Sequence, residues 1–320
     1  ESWKDTEGYL DRYARPRLGH MVASEVTNHD IARLQADLVE GKLGRKPSIS
    51  NARLTRIALS GLFKWAAQAG RSYVTASPCV NLPPLDKLHP RTRVLTADEI
   101  RIFWHGLDRP DLPCSRKIAL AMKFMLATML RGAEVRGASR AEIAAWQSPQ
   151  ARLHVPMKRV KKRRPIVQPL SDLAQEIVAE AMRLSNGNYL FAAIGDQPLA
   201  PTTMSHALRG VTHKGKVKQI GLCEWLGLRR FTPHDLRRTA ASLAREIGQP
   251  LSRIALCLDH QSGKVDNVEL SGVTATHYAF APAREQIDKR ETLDVLAAAL
   301  RKIIDGDEMA SGGPATALAA

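Results

Sequence analysis

Apolar residues recur at helical spacing through most of the chain and at strand spacing in one short stretch. In residues 28–40, Ile31, Leu34 and Leu38 share one side; in 51–70, Leu54, Ile57, Ala58, Leu62, Trp65 and Ala66 recur at steps of three and four. Both patterns predict helices, the second stopped by Gly70, with Arg53, Arg56 and Lys64 lying off its stripe. The text then changes. Pro78, Pro83, Pro84 and Pro90 exclude a helix interior or a central strand and mark a domain boundary. Thr96 and Glu99 form a capping-box pattern that opens a new helix, and 118–130 reads as a buried helix interrupted only by Lys123 and Thr128. Two strands, 153–155 and 165–170, flank the run 158–164, in which six of seven residues are Lys or Arg, so a basic hairpin is expected. Helices resume from Thr232. The last, 291–304, carries a stripe of Leu293, Leu296, Ala297, Leu300, Ile303 and Ile304. The pattern predicts a mostly α protein with a small β-sheet (α+β): a helical domain at 1–84, a linker at 85–95, a second domain at 96–306 and a flexible tail at 307–320.

Composition adds a partner class. Of 320 residues, 47 are Lys or Arg and 32 are Asp or Glu, a formal net charge of +15 that favours a polyanion such as nucleic acid. With 44% hydrophobic residues the chain can bury ordinary cores, so wholesale disorder is excluded. Cys79, Cys114, Cys223 and Cys257 lie far apart and form neither a disulfide framework nor a metal-ligand pattern, so no metal is expected. No apolar run reaches the roughly 18 residues of a membrane span, and the N-terminus lacks the apolar stretch of a signal peptide. A cytoplasmic protein without membrane attachment is expected, and the initial Glu1 suggests a piece of a longer or processed chain.

The most informative segment is FTPHDLRRT, Phe231 to Thr239. Thr232 is a good N-cap, Pro233 suits the first helical position, and Asp235 completes a capping-box-like start. His234 and Arg237, three apart, fall in the first turn, where free N–H groups and the helix dipole favour an anion such as phosphate. A capped surface helix is the bland alternative. Arg131 follows the apolar helix, with Glu134 three residues on; a guanidinium there can be held rigidly against a phosphate oxygen, or can merely offset the helix dipole. His260 ends a short apolar helix, and Tyr278 follows the third of these segments. Two Arg, two His, a Lys-rich hairpin and a final Tyr suit phosphodiester chemistry driven by fixed cations.

In that order the residues resemble the tyrosine recombinase (phage integrase) family. Residues 27–84 resemble its helical core-binding domain and 96–304 its catalytic domain. The box H-x-L-R-R-T matches His234 to Thr239 letter for letter, and L-x-H matches Leu258 to His260. The resemblance implies Arg131, His234, Arg237, His260 and the nucleophile Tyr278 as catalytic residues, with Glu134 in support. Tyr9, Tyr13, Tyr73 and Tyr189 all precede the second box. The hairpin offers Lys158, Lys161 and Lys162, and comparison with family text backward from Pro165 and Pro169 selects Lys161. The interval from His260 to Tyr278 is longer than the family's, so an exposed insert is expected at 263–273. Arg53, Arg56, Lys64, Lys158, Arg159, Lys162 and Arg163 are the expected DNA contacts.

The resemblance implies a site-specific recombinase that integrates or excises a phage or genomic island. Tyr278 would attack a phosphodiester to give a 3′-phosphotyrosine and a 5′-hydroxyl, without metal or other cofactor. Its partners would be double-stranded DNA attachment sites, three further copies in a homo-tetramer, and accessory DNA-bending or directionality factors. The stripe of 291–304 is expected to dock on a neighbouring copy, although it could fold back on its own domain. A type IB topoisomerase and a catalytically silent DNA-binding relative are the alternatives.

Overall fold

Side-chain caps decide where most of the helices start. The computed structural model describes residues 2–42, 46–87, 92–160, 164–184, 186–213, 216–260, 264–265, 268–269 and 282–307. The chain divides into two compact units, Glu1–Arg91 and Thr92–Ala320. In the first, α1 (Ser2–Tyr9) runs through a π-helical stretch (Leu10–Ala14) into α2 (Arg15–Leu18). Thr27 and Asp30 form a capping box that opens α3 (Asn28–Glu40), and Gly41 ends it at φ 78°, a conformation glycine adopts without a Cβ clash. Ser48 accepts from the Asn51 amide at 3.2 Å and starts α4 (Ile49–Ala66). Ile31, Leu34 and Leu38 share a core with Tyr13, Ala52, Leu59, Phe63, Ala66 and Leu82.

Of the stripe expected on α4, only the small Ala58 and Ala66 are buried. Leu54, Ile57, Leu62 and Trp65 are exposed, while Ala52, Thr55, Leu59 and Phe63 are buried. Both rows have the helical period, so hydrophobicity alone does not choose between them; the small Ala52 and Thr55 let a neighbouring helix approach. Arg53 donates to the Asp86 carbonyl at 2.8 Å and Arg56 to that of Pro83 at 3.0 Å. These bonds hold the proline-rich segment on α4 and bury Leu82.

In the second unit, Thr96 and Glu99 form the expected capping box at the head of α5 (Ala97–Gly106). The apolar helix α6 (Arg116–Thr128) is central: its side chains from Ala119 onward are buried. Lys123 is buried with them because its ammonium pairs with Asp108 at 2.5 Å and lies 4.6 Å from the centre of the Trp104 ring. After α7 (Gly132–Arg136) comes a three-stranded antiparallel sheet, β1 (Ile143–Ala144), β2 (Arg152–Val155) and β3 (Ile166–Pro169). Leu153 pairs with Gln168 and Val155 with Ile166, so the alternation puts all four on the buried face. Next come α8 (Asp172–Arg183), α9 (Thr203–Arg209), the hairpin β4 (Val211–His213) and β5 (Lys216–Gln219), and α10 (Leu222–Trp225). They are followed by α11 (Pro233–Glu246) and α12 (Leu251–Cys257). A short antiparallel pair, β6 (Lys264–Val265) and β7 (Val268–Glu269), falls within the expected insert, and α13 (Pro282–Asp305) closes the unit. No helix among the described residues is long and apolar enough to cross a membrane.

The last helix differs from expectation in length and in partner. It starts at Pro282, and Leu293, Leu296, Leu300 and Ile303 are at most 2% exposed within their own unit, packed with α5, α6, α11 and α12. Lys289 donates to the Val167 carbonyl at 3.0 Å, and Arg290 to those of Leu170 and Ala151. At the other end, Arg101 and His105 each meet a carbonyl of the last turn, Ile303 and Ile304, at 2.9 Å. The stripe therefore folds back on its own domain and is not offered to a neighbouring copy. Leu296→Ala and Leu300→Ala should each lower unfolding free energy by about 2–5 kcal/mol in urea titrations. Losses within about 0.5 kcal/mol would return the stripe to an intermolecular role.

Candidate active site

Three helix termini of the second unit bring the predicted cations together. The apolar helix α6 stops at Met129, whose φ of 56° is left-handed. A non-glycine residue pays roughly 1–2 kcal/mol for that conformation. Arg131 then becomes the N-cap residue of α7. Glu134, 1% exposed, accepts the Arg131 amide at 2.7 Å on one oxygen and the Arg131 guanidinium at 2.8 Å on the other. The three-residue spacing is what allows one carboxylate to cap the helix and hold the arginine.

From α11, Arg237 points inward and is 3% exposed. It donates to the carbonyls of Met129 and Leu258, with Glu134 at 4.0 Å. Burial, together with the like charge of Arg131, pushes its guanidinium down to about 10, which leaves it protonated at neutral pH. The Leu258 carbonyl also accepts from Arg131 at 3.2 Å, so one backbone oxygen joins both arginines. His234 lies exposed in the first turn of α11, behind the expected cap: the Thr232 amide donates to Asp235 at 2.8 Å. Partial desolvation and the charges of Arg238 and Arg237 hold its imidazole below the ordinary value of 6.5. His260 is exposed just past α12, whose last turn closes by hydrogen bonds from the Asp259 and His260 amides to Leu256 and Ala255.

The structure thus brings Arg131, Glu134, His234, Arg237 and His260 into one unit around the ends of α6, α11 and α12. Lys161, Lys162, Arg163 and Tyr278 lie outside the described residues. Lys158 is exposed beside the sheet, whereas Arg159 donates to the Glu134 carbonyl at 2.8 Å and pairs with Glu142, so its charge is engaged inside the domain. In the first unit, Arg53, Arg56 and Lys64 line a shallow groove of about 530 Å³ with Ile57, Ser60 and Leu85.

Three residues escaped the sequence reading. Asp259, 6% exposed, pairs with Arg131 at 3.5 Å and with Arg164. Gln168 is fully buried and donates to the carbonyls of Thr128 at 2.7 Å and Cys257 at 3.3 Å, which ties β3 to the ends of α6 and α12. Strand alternation pointed to Gln168, since it shares the face of Ile166; Arg164 was hidden in the basic run, and Asp259 stands at the unspecified position of L-x-H.

A model of the phage integrase family matches residues 93–267, more than half of the chain. The chain belongs to the phage integrase family. The match ends before Tyr278. Prophage integrase IntZ of Escherichia coli (strain K12) is 26% identical over 219 residues, 66% of this chain and 50% of IntZ. The chain thus spans about half the length of that curated relative. Among solved structures, a lambda integrase dimer bound to a COC′ core site superposes with a TM-score of 0.62 at 19% identity, covering 82% of this chain and 85% of that one. XerH recombinase bound to a palindromic difH substrate gives 0.56 at 17% identity, covering 87% and 74%. Both likenesses establish the integrase fold, mostly helical with small antiparallel sheets.

Among the site's described residues, the imidazole of His234 is held below its ordinary value by partial desolvation and by Arg238 and Arg237. Because its midpoint is lowered, the ring is neutral, and able to take a proton, at pH 7. Arg238→Gln should raise the midpoint, since it removes a positive neighbour and leaves Asp235 facing the ring. An NMR titration of His234 that stays in place or falls in that variant would contradict the electrostatic account.

Proposed function

We propose that the protein is a site-specific DNA recombinase that cuts and rejoins strands through Tyr278. The observation that carries the reading is the pair Arg131 and Arg237, held on the shared Leu258 carbonyl and the buried Glu134 beside His234. Two fixed guanidiniums are suited to the non-bridging oxygens of a phosphodiester, where charge develops in the transition state. The hydroxyl of Tyr278, with an ordinary pKa of about 10, needs a base, and in this reading neutral His234 accepts its proton. The tyrosine oxygen bonds to phosphorus, the bond to the 5′-oxygen breaks, and Lys161 supplies the proton that makes the 5′-hydroxyl. His260 donates to the phosphate. Ligation reverses the step with the hydroxyl of another strand, so the bond energy is conserved and no nucleotide cofactor is consumed.

In this reading the unit Glu1–Arg91 is the core-binding domain, with its basic groove along α4 facing DNA, and Thr92–Ala320 is the catalytic domain. Attachment sites of a phage or genomic island are the substrate, and four copies assemble on two duplexes. One structural relative, a lambda integrase tetramer bound to a Holliday junction, supports that assembly.

Trapping on a nicked duplex tests the proposal. Tyr278→Phe should bind DNA as the wild type does and form no covalent adduct; an adduct at another residue would remove Tyr278 from the site. Arg131→Lys and Arg237→Lys should each slow capture by about 10²-fold or more, because an ammonium cannot make the bidentate contact. Since fixed guanidiniums supply the charge, EDTA should leave the rate unchanged; loss in EDTA with recovery in Mg²⁺ would overturn that mechanism. Resolution of a synthetic Holliday junction separates a recombinase from a topoisomerase.

A further inference from the structure

Helix α12 ends in a pattern that needs a left-handed residue just past the cap. The Asp259 amide bonds the Leu256 carbonyl at 3.0 Å and the His260 amide bonds that of Ala255 at 2.9 Å, with Asp259 at φ 47°. Glycine is the ordinary occupant of that position, because it has no Cβ to clash. Aspartate tolerates the conformation, but nothing in the helix end calls for a carboxylate there.

Two guanidiniums do. One carboxylate oxygen of Asp259 pairs with Arg164 and the other lies 3.5 Å from Arg131 Nη1. The Asp259 side chain is 7% exposed, against 24% for Arg131 and 39% for Arg164. The anion is therefore locked by packing, while the cations it holds keep solvent-facing surface on which a phosphate can bind. Without it, Arg131 and Arg237 would share only Glu134 and Arg164 would lose this carboxylate, so repulsion would spread the two more exposed side chains. Arg164 also stands at the base of the basic hairpin, so the same carboxylate fastens that base beside His260.

We infer that Asp259 is a positioning residue of the phosphate site, which holds Arg131 and Arg164 in place for cleavage. The inference rests on the recombinase reading above. Asp259 does not touch the reacting atoms; it acts through the two arginines. Two consequences separate this role from a merely structural one. Removing the carboxylate adds one net positive charge to the site, so DNA binding should hold or tighten even as the reaction slows. Glycine should relieve the left-handed backbone, so stability and rate should move in opposite directions.

The test uses the full chain and nicked duplexes with a randomised arm, from which wild-type protein captures its preferred sequence as a covalent adduct. That duplex then serves for single-turnover capture at saturating protein, for DNA affinity, and for urea unfolding of Asp259→Asn, Asp259→Gly and Arg164→Gln. Capture should slow roughly tenfold to a hundredfold in both Asp259 variants. Their DNA affinity should be equal or higher, and Asp259→Gly should be at least as stable as the wild type. Arg164→Gln should slow capture less than Asp259→Asn, since Arg131 keeps its anion. Wild-type capture rates in both Asp259 variants would overturn the inference, as would parallel losses of stability, affinity and rate in both. A wild-type protein that captures no duplex would instead overturn the recombinase reading, which the same control reveals first.

Discussion

The second unit is organised around the burial of one permanent cation. A guanidinium removed from water costs several kcal/mol unless every donor finds an acceptor and the charge finds a partner. Arg237 offsets part of that cost with bonds to the carbonyls of Met129 and Leu258 and with the charge of Glu134 at 4.0 Å. Glu134 in turn takes the amide and the guanidinium of Arg131, so the two arginines are held by one buried carboxylate. The cluster is self-consistent only if both helix ends that supply the carbonyls stay in place.

Those ends are fixed by backbone geometry. Helix carbonyls at a C-terminus lack partners along their own helix and carry the negative end of its dipole. Met129 and Asp259 both stop the chain in the left-handed region, which turns α6 and α12 away and leaves their last carbonyls facing the arginines. The N-terminus of α11 contributes the opposite pole, beside His234. An anion arriving there meets helix N–H groups and guanidinium donors whose orientations are already set.

Local rules were legible in the sequence, and long-range choices were not. The caps at Thr96 and Thr232 depend on residues three apart, so T-x-x-E and T-x-x-D are readable directly; so are the two strands and the burial of α6. The seam of α4 depends on which of two apolar rows meets its neighbour, and the small Ala52 and Thr55 decide it against the larger Leu54 and Ile57. The stripe of α13 was read correctly, but its partner was assigned to another copy because sequence order shows no face waiting for it; that face is assembled from α5, α6, α11 and α12. Arg131, Glu134, His234 and Arg237, expected from order and spacing, lie together at these helix ends. Asp259 and Gln168 were missed because their partners lie far away in sequence, at Arg164, Thr128 and Cys257.

Strand β3 links these long-range choices. Gln168 binds the Cys257 carbonyl at the end of α12, and Val167 accepts from Lys289 in α13. The residues between α12 and α13, Tyr278 among them, therefore have both flanks fastened to adjacent positions of one strand. Gln168 also binds Thr128, one residue before the turn that presents Arg131. Burial keeps Lys289 below its ordinary pKa, yet its ammonium has the Val167 carbonyl at 3.0 Å, so the fastening is a charge-assisted bond in a dry environment. A one-residue slip of β3 would turn Gln168 from the core to solvent and break its bonds to Thr128 and Cys257 at once. The placement of the cations relative to the end of α12 and the start of α13 is thus a property of the register of β3, which the buried Ile166 and Gln168 pin against Val155 and Leu153.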